Sequence, residues 1–339
     1  MNKTFVIGID LGGTFIKAAL FNFRGELLQE TRLATLAEEG PLKVVGRMAE
    51  AARILLESSG FSASQILGVG IGVPGNHDFS TGRVVYSPNL KWQDVPVRKW
   101  LEEQLEVPVF LDNDANAAAL GEFWQGAGQG FSHMIMVTLG TGIGGGLILN
   151  GRLYRGAGGS AGEIGHTIIM ANGPECSCGV KGHLEGLASA PRIVARAQTA
   201  MAEVQPNAQP NAQPNAQPNA QPNGQAKPQP KPGLTTEAIF AAWQDGDPQA
   251  AKVVEDTIDY LGIGLANLVN IFNPEVIVLG GGVAEAGDIF LQPVAARMRE
   301  LALEYPAQMV RVVKAQLGNR AGCYGAAALV LQENIDIKD

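Results

Sequence analysis

Cysteine is scarce: the 339 residues contain three, Cys176, Cys178 and Cys323. Three thiols make no disulfide framework, and such low usage suits a reducing compartment. Basic charge is in deficit, with 25 Lys and Arg against 33 Asp and Glu and a formal net charge of −8. That argues against a protein that coats nucleic acid, because such affinity rests on cations neutralising phosphate. No run of about 18 apolar residues occurs, and Asp10 interrupts the short apolar stretch near the N-terminus. Neither a membrane span nor a secretory leader is expected, and the expected location is the cytoplasm. A Walker-type Gly-x₄-Gly-Lys-Ser/Thr string is also missing, which excludes a P-loop nucleotide site.

Glycine is in excess, at 43 residues, without the three-residue period of collagen. Hydrophobic residues make up 46% and charged residues 17%, enough apolar material for a sizeable core in two domains or one large one. Short apolar runs bounded by turn residues predict strands over Phe5–Asp10, Ile66–Val73, Val107–Asp112, Met134–Leu139, Gly146–Leu149, Val276–Leu279 and Arg311–Leu317. Between them, helical patterns cover Pro41–Ser58, Ala115–Gln125, Glu185–Met201, Thr236–Gln244, Pro248–Phe272, Ile289–Glu304 and Ala321–Gln332. The alternation means α/β architecture. Phe5–Leu27 and Met134–Leu153 share one order: strand, Gly-rich turn, second apolar strand, tight turn. Two such hairpins, each opening one half of the chain, predict a duplicated domain with a cleft between the halves. Segment 205–232 stands apart. Its Gln-Pro-Asn tetrads and Lys/Pro/Gln stretch lack the apolar surface to offset ordering entropy, so it is expected to be a disordered insertion between helices with no catalytic role.

Five motifs carry chemistry. Asp10-Leu-Gly-Gly-Thr-Phe-Ile-Lys17 offers backbone N–H groups and a hydroxyl to an anion, and a strand-end carboxylate that can hold Mg²⁺ through water; a hairpin that merely needs glycine would look the same. Gly140-Thr-Gly-Ile-Gly-Gly-Gly146 satisfies the dinucleotide spacing, but a strand follows it instead of a helix, so the Rossmann reading is rejected. Val276-Ile-Val-Leu-Gly-Gly-Gly-Val283 ends an apolar strand in bare backbone, suited to adenosine or to close helix–strand packing. His166, Cys176, Cys178 and His183 gather four of the seven Cys and His residues into one short window, a donor set suited to a closed structural zinc site; a disulfide or chance are the alternatives. Finally Asn113, Asp114, Glu163, His166 and Glu185 are rich in acceptors for a polyhydroxylated ligand, although Asp112 or Asp114 can equally cap the helix that follows.

Together Asp10-x-Gly-Gly-Thr14, Asn113-Asp114-Ala-Asn, Gly162-Glu-Ile-Gly-His166, Cys176-x-Cys-Gly-x-x-Gly-x-x-Glu185 and Asn273-Pro-Glu-Val-Ile-Val-Leu-Gly-Gly-Gly282 resemble the ROK family, most of all its bacterial glucokinases. The resemblance implies the duplicated actin/hexokinase-like (ribonuclease H-like) fold. It would comprise a small domain over 1–115 with helix 320–335 packed on it, and a large domain over 116–319. It implies ATP-dependent phosphorylation of a hexose, glucose above all, with Asp114 as base. Gly75, Asn113, Glu163, His166 and Glu185 would meet the sugar. Gly12, Gly13, Thr14, Lys17, Thr141 and Gly142 would meet phosphate, and Gly281 the adenosine. Asp10 would carry Mg²⁺ through water, and His166, Cys176 and Cys178 would hold Zn²⁺. His183 stands where the family usually has a third cysteine, and ligation by its imidazole is expected. Homodimers or larger assemblies are expected. Kinases for N-acetylmannosamine, N-acetylglucosamine or fructose are rivals, as is a non-catalytic sugar-responsive regulator. The last is disfavoured because the first strand starts at Phe5, leaving no room ahead of it for a helix-turn-helix domain.

Overall fold

A computed structural model of the chain describes residues 4–203 and 233–336; the Gln-Pro-Asn repeat lies outside them. The first half contributes β1 (Phe5–Leu11), β2 (Phe15–Asn22), β3 (Leu27–Ala34), α1 (Pro41–Ser59), β4 (Ile66–Val73), a meander of β5 (Asn76–Asp78), β6 (Arg83–Ser87) and β7 (Trp92–Val95), α2 (Val97–Leu105), β8 (Val109–Asn113) and α3 (Asp114–Gln125). The second half contributes β9 (Met134–Leu139), β10 (Ile143–Leu149), β11 (Arg152–Leu153), α4 (Leu184–Ala188), α5 (Ala190–Glu203), α6 (Thr236–Gln244), α7 (Pro248–Phe272), β12 (Val276–Gly280), α8 (Asp288–Leu301), α9 (Glu304–Met309), β13 (Arg311–Lys314) and α10 (Ala321–Asp336).

The two main sheets repeat one topology. The first runs β3-β2-β1-β4-β8 and the second β11-β10-β9-β12-β13. In each, three antiparallel strands precede two parallel ones. The duplication expected from the two hairpins is therefore present. Each sheet has its own core. Ile7, Ile9, Leu11, Val69, Ile71 and Val73 pack with α1 residues such as Val44, Met48 and Leu55. Ile135, Val137, Leu139, Ile277 and Leu279 pack with Leu261, Leu265 and Val269 of α7.

The opposite sheet faces explain much of the glycine. Side chains alternate across a strand, so Gly8 on β1 and Gly70 on β4 share the face away from α1. There α10 lies so close that a Cβ on either glycine would collide with the carbonyl oxygen of Cys323 or Ala326. On the second sheet Gly144 and Gly146 of β10 face Ala115 and Ala119 of α3. The last helix of each half thus seats on the other half's sheet, and the two helices cross at Gly121 and Gly325.

Several sequence expectations are corrected. The helix expected over Glu185–Met201 is two, because Ser189 is extended and Pro191 is tolerated only in the first turn of a new helix. The helix expected over Ile289–Glu304 ends at Leu301, with α9 following. The strand expected to run to Leu317 ends at Lys314, the last residue that pairs with β12 (at Leu279). Strand β8 starts at Val109, past Pro108, and β10 starts at Ile143. The meander and α2 were not anticipated.

Candidate active site

A cavity of about 1200 Å³ lies between the sheets and takes walls from both halves. Its floor is the junction of β8 and α3. Asn113 is extended and caps α3: its Oδ1 accepts from Ala115 N at 2.8 Å and Asn116 N at 3.3 Å. The cap is therefore Asn113, not Asp112 or Asp114. Asn113 Nδ2 donates to Gly75 O at 3.3 Å, tying the cap to the loop after β4. Asp114 is thereby left as the first helical residue, pointing a carboxylate into the cavity at the positive end of the helix. Its side chain is reachable by solvent through the cavity but enclosed by protein around it. That enclosure pushes its carboxyl above the ordinary carboxylate range; the Ala115 N–H works against the shift, and the charges of Asp10 and Glu163 add to it.

Glu163, His166 and Glu185 line the same cavity. Gly162 (φ 94°) precedes the short turn Ile164–His166, and Glu185 lies in the first turn of α4. The Glu185 carboxylate spans two segments: Oε2 accepts from Ile143 N at 3.1 Å, and Oε1 accepts from Ser177 Oγ at 2.9 Å and from Cys176 Sγ at 3.4 Å. His166 also faces two ways. Its Nε2 lies 3.9 Å from Glu163 Oε2, and its Nδ1 lies 3.3 Å from His183 Nδ1. Cys178 Sγ is 3.2 Å from His183 Nδ1, and the ligand atoms of His166, Cys176, Cys178 and His183 all lie within 4.8 Å of one another. At metal–nitrogen bonds of about 2.0–2.1 Å and a tetrahedral angle, two nitrogens sit about 3.3 Å apart. The His166–His183 spacing fits that value, so the donor set suits zinc in both chemistry and reach.

Much of the remaining wall is backbone. The Gly140–Gly142 turn closes on itself through Gly140 N to Gly142 O at 3.0 Å and carries Thr141 into the cavity. Gly281 (φ 87°) sits against the Leu139 carbonyl, where a Cβ would collide, and Gly282 leaves open space beside it. Asp10 and Lys17 also line the cavity, paired at 3.2 Å. Gly12, Gly13 and Thr14 do not line it; they form the adjoining β1–β2 turn, whose carbonyls at Gly12 and Thr14 bind Thr35.

Sequence reasoning missed several lining groups. Asn76, Tyr86 and Asn89 reach the cavity from the meander, and the β-branched and aromatic run Val84-Val85-Tyr86 was the signal available for it. Lys314 and Glu285, paired at 2.7 Å, lie near the Gly281 end. Glu122 was missed because it never touches the cavity. Fully buried on α3, it accepts from Ala127 N, Gln316 N and Leu317 N at 2.9, 3.0 and 2.7 Å, and so fixes the loop that carries Asn319 to the cavity. Glu122→Ala would leave three amides without an acceptor, and is expected to cost about 3 kcal/mol or more in chemical denaturation.

Among the described residues no helix is long and apolar enough to cross a membrane. Comparison with known proteins gives one consistent result. The chain is 38% identical to a glucokinase of Halalkalibacterium halodurans over 334 residues, 98% of this chain and 97% of that one. It is 35% identical to a putative xylose repressor of a Caldicellulosiruptor species, covering 100% of this chain and 81% of that protein. A ROK hexokinase from Thermus thermophilus superimposes with a TM-score of 0.80 at 36% identity, covering 98% of this chain and 99% of that one. A ROK glucokinase from Streptomyces griseus, solved with glucose and AMPPNP, superimposes with a TM-score of 0.74 at 32% identity, covering 97% and 99%. Such neighbours carry the actin/hexokinase-like two-domain fold, and the ROK profile itself matches residues 6–333, so the chain belongs to the ROK family.

Proposed function

We propose that this chain is a sugar kinase that transfers the γ-phosphoryl group of ATP to a hexose hydroxyl, with glucose, through O6, as the preferred acceptor. The observation that carries the reading is the position of Asp114. A carboxylate held at a helix start faces one cavity lined both by acid and imidazole groups and by bare glycine backbone. The similarity to the Halalkalibacterium glucokinase and to the Streptomyces enzyme crystallised with glucose and AMPPNP supports it.

In this mechanism Asn113, Glu163, His166 and Glu185 hold the sugar hydroxyls, with Gly75 closing the same end. The Gly140–Gly142 turn, with the neighbouring Gly12–Thr14 turn, binds the phosphates, and Gly281 lies along the adenosine. The sugar oxygen bonds to the γ-phosphorus as the bond to the ADP oxygen breaks, and the hydroxyl proton passes to the Asp114 carboxylate. Phosphoryl transfer demands positioning and charge stabilisation more than covalent chemistry. Asp10, which lines the cavity, would hold magnesium, and that ion would neutralise charge on the phosphates. His166, Cys176, Cys178 and His183 would hold zinc, which would cross-link the loop that presents His166 and leads to Glu185. The same reading divides the chain into lobes over 1–115 and 116–319, with 320–335 returning to the first.

A coupled ADP-release assay across a hexose panel, with ATP and polyphosphate as donors, tests the proposal. Glucose with ATP should give the highest kcat/KM; no acceptor-dependent turnover with any hexose would refute it. Removing the metal with a chelator, or making His183→Ala, should raise the glucose KM about 10- to 100-fold with little change for ATP. His183→Cys should retain one equivalent of zinc by metal analysis. An unchanged glucose KM in metal-free protein would dismiss the zinc role.

A further inference from the structure

Behind the cavity floor lies a charge network that the reaction scheme does not use. Asp112, the residue before Asn113, is fully buried. One of its oxygens accepts from Asn113 N at 2.7 Å and Asn116 Nδ2 at 2.8 Å, so it holds both the cap of α3 and that helix's first turn. Its other oxygen pairs with Arg155 Nε at 2.6 Å. Arg155 comes from the other half of the chain, just beyond β11, and its Nη2 reaches Glu333 of α10 at 3.2 Å. His77 also sits near Asp112, but burial holds it down to about 4. It is neutral near pH 7 and offers Asp112 no compensating charge.

The segment after Arg155 is equally constrained. The Arg155 carbonyl accepts from Ala161 N at 2.9 Å, which closes residues 155–161 into a loop that ends two residues before Glu163. The guanidinium stacks over Phe79, 5.4 Å from the ring centroid, and Gly159 (φ 77°) packs against the same ring. Arg155 therefore roots the loop that delivers Glu163 and His166, while its side chain touches the strand end that delivers Asn113 and Asp114 and the C-terminal helix.

We propose that Arg155 is a positioning residue for phosphoryl transfer: by clamping Asp112 to the 155–163 loop, it fixes Asp114 against the sugar-binding groups of the opposite half. This deepens the kinase reading and rests on it. Arg155 touches no substrate. Its contribution is geometric, and displacement of a reacting group by about 1 Å can cost about a hundredfold in rate.

Arg155→Met removes the fork and keeps much of the apolar stem. Kinetics with glucose and ATP should show kcat falling about 10- to 100-fold, with the glucose KM rising and the ATP KM within about twofold of wild type. Because this variant also strands a buried carboxylate, the deciding protein is the double variant Asp112→Asn/Arg155→Met. It removes both charges, while the amide oxygen of the introduced side chain can still accept from Asn113 and Asn116. Its Tm should return towards wild type while kcat stays low. Recovery of full kcat together with Tm would overturn the proposal and reduce Arg155 to charge compensation. So would an Arg155→Met kcat within about twofold of wild type, or ATP and glucose KM values that rise together. Absence of turnover in the wild-type chain would instead refute the kinase reading itself.

Discussion

Asp114→Asn is expected to lower kcat by about 10²- to 10⁴-fold, the range for losing a general base, with the glucose KM little changed. Asparagine keeps an oxygen where Asp114 Oδ1 now accepts from Ala115 N at 3.0 Å, so the helix start should survive. Stability should move in the opposite sense to activity. Enclosure raises the Asp114 pKa above its ordinary value near 3.8. The folded state therefore favours the protonated form, and this stabilisation is complete below the unfolded value. It is lost as pH rises through the folded value, where the unfolded chain has already released its proton. At neutral pH wild type carries the cost of a charged, enclosed carboxylate and the variant does not. The variant's Tm should equal or exceed wild type at pH 7, and the gap should close in acid. The same shift sets the pH profile: kcat/KM should fall in acid with a midpoint above 3.8, because the base works only when deprotonated. Turnover within about tenfold of wild type, or a Tm loss comparable to a core defect, would remove Asp114 from the role.

Much of this arrangement was legible in the sequence, because the strongest signals were local. The β1–β2 and β9–β10 hairpins announce themselves through apolar runs that flank Gly-rich turns, and the Cys/His window needs only spacing to be noticed. What stayed hidden depends on groups far apart in sequence. Asp112 looks like a helix cap until Arg155 and Glu333 are seen around it. Glu122 looks like a surface residue of α3 until Gln316 and Leu317 arrive 194 and 195 residues later. The Asn113 cap was missed for a different reason: three adjacent Asp and Asn residues all have capping chemistry, and backbone conformation alone chooses among them. The meander escaped because strands of three to five residues offer too few alternations to register. The position of the Gly12–Thr14 turn beside the cavity wall is a matter of backbone path, which its motif does not state.

Gly325→Ala carries the largest expected effect on stability. A single methyl there would collide with the carbonyl oxygen of Ala117 in α3, and neither partner is the free end of a side chain that can swing away. The helices must separate, and α10 cannot retreat without leaving Gly8 and Gly70 on the first sheet, where its backbone is equally close. Overpacking a tight interior usually costs about 1–3 kcal/mol; a collision of backbone with Cβ at a helix crossing should exceed about 3 kcal/mol by denaturant titration. Activity should fall with it, because α3 is the element that delivers Asp114. The matched control is Gly46→Ala. Gly46 lies inside α1 with no atom near an added Cβ and no positive φ, so the same substitution relieves only the backbone entropy of a helical glycine and should stabilise by about 0.5–1 kcal/mol. Opposite signs for one chemical change would locate the cost in the α3–α10 crossing and not in alanine itself. Equal, small effects at both positions would mean that the helices have room to part, and that the alternating glycines of β1, β4 and β10 are not there to seat them.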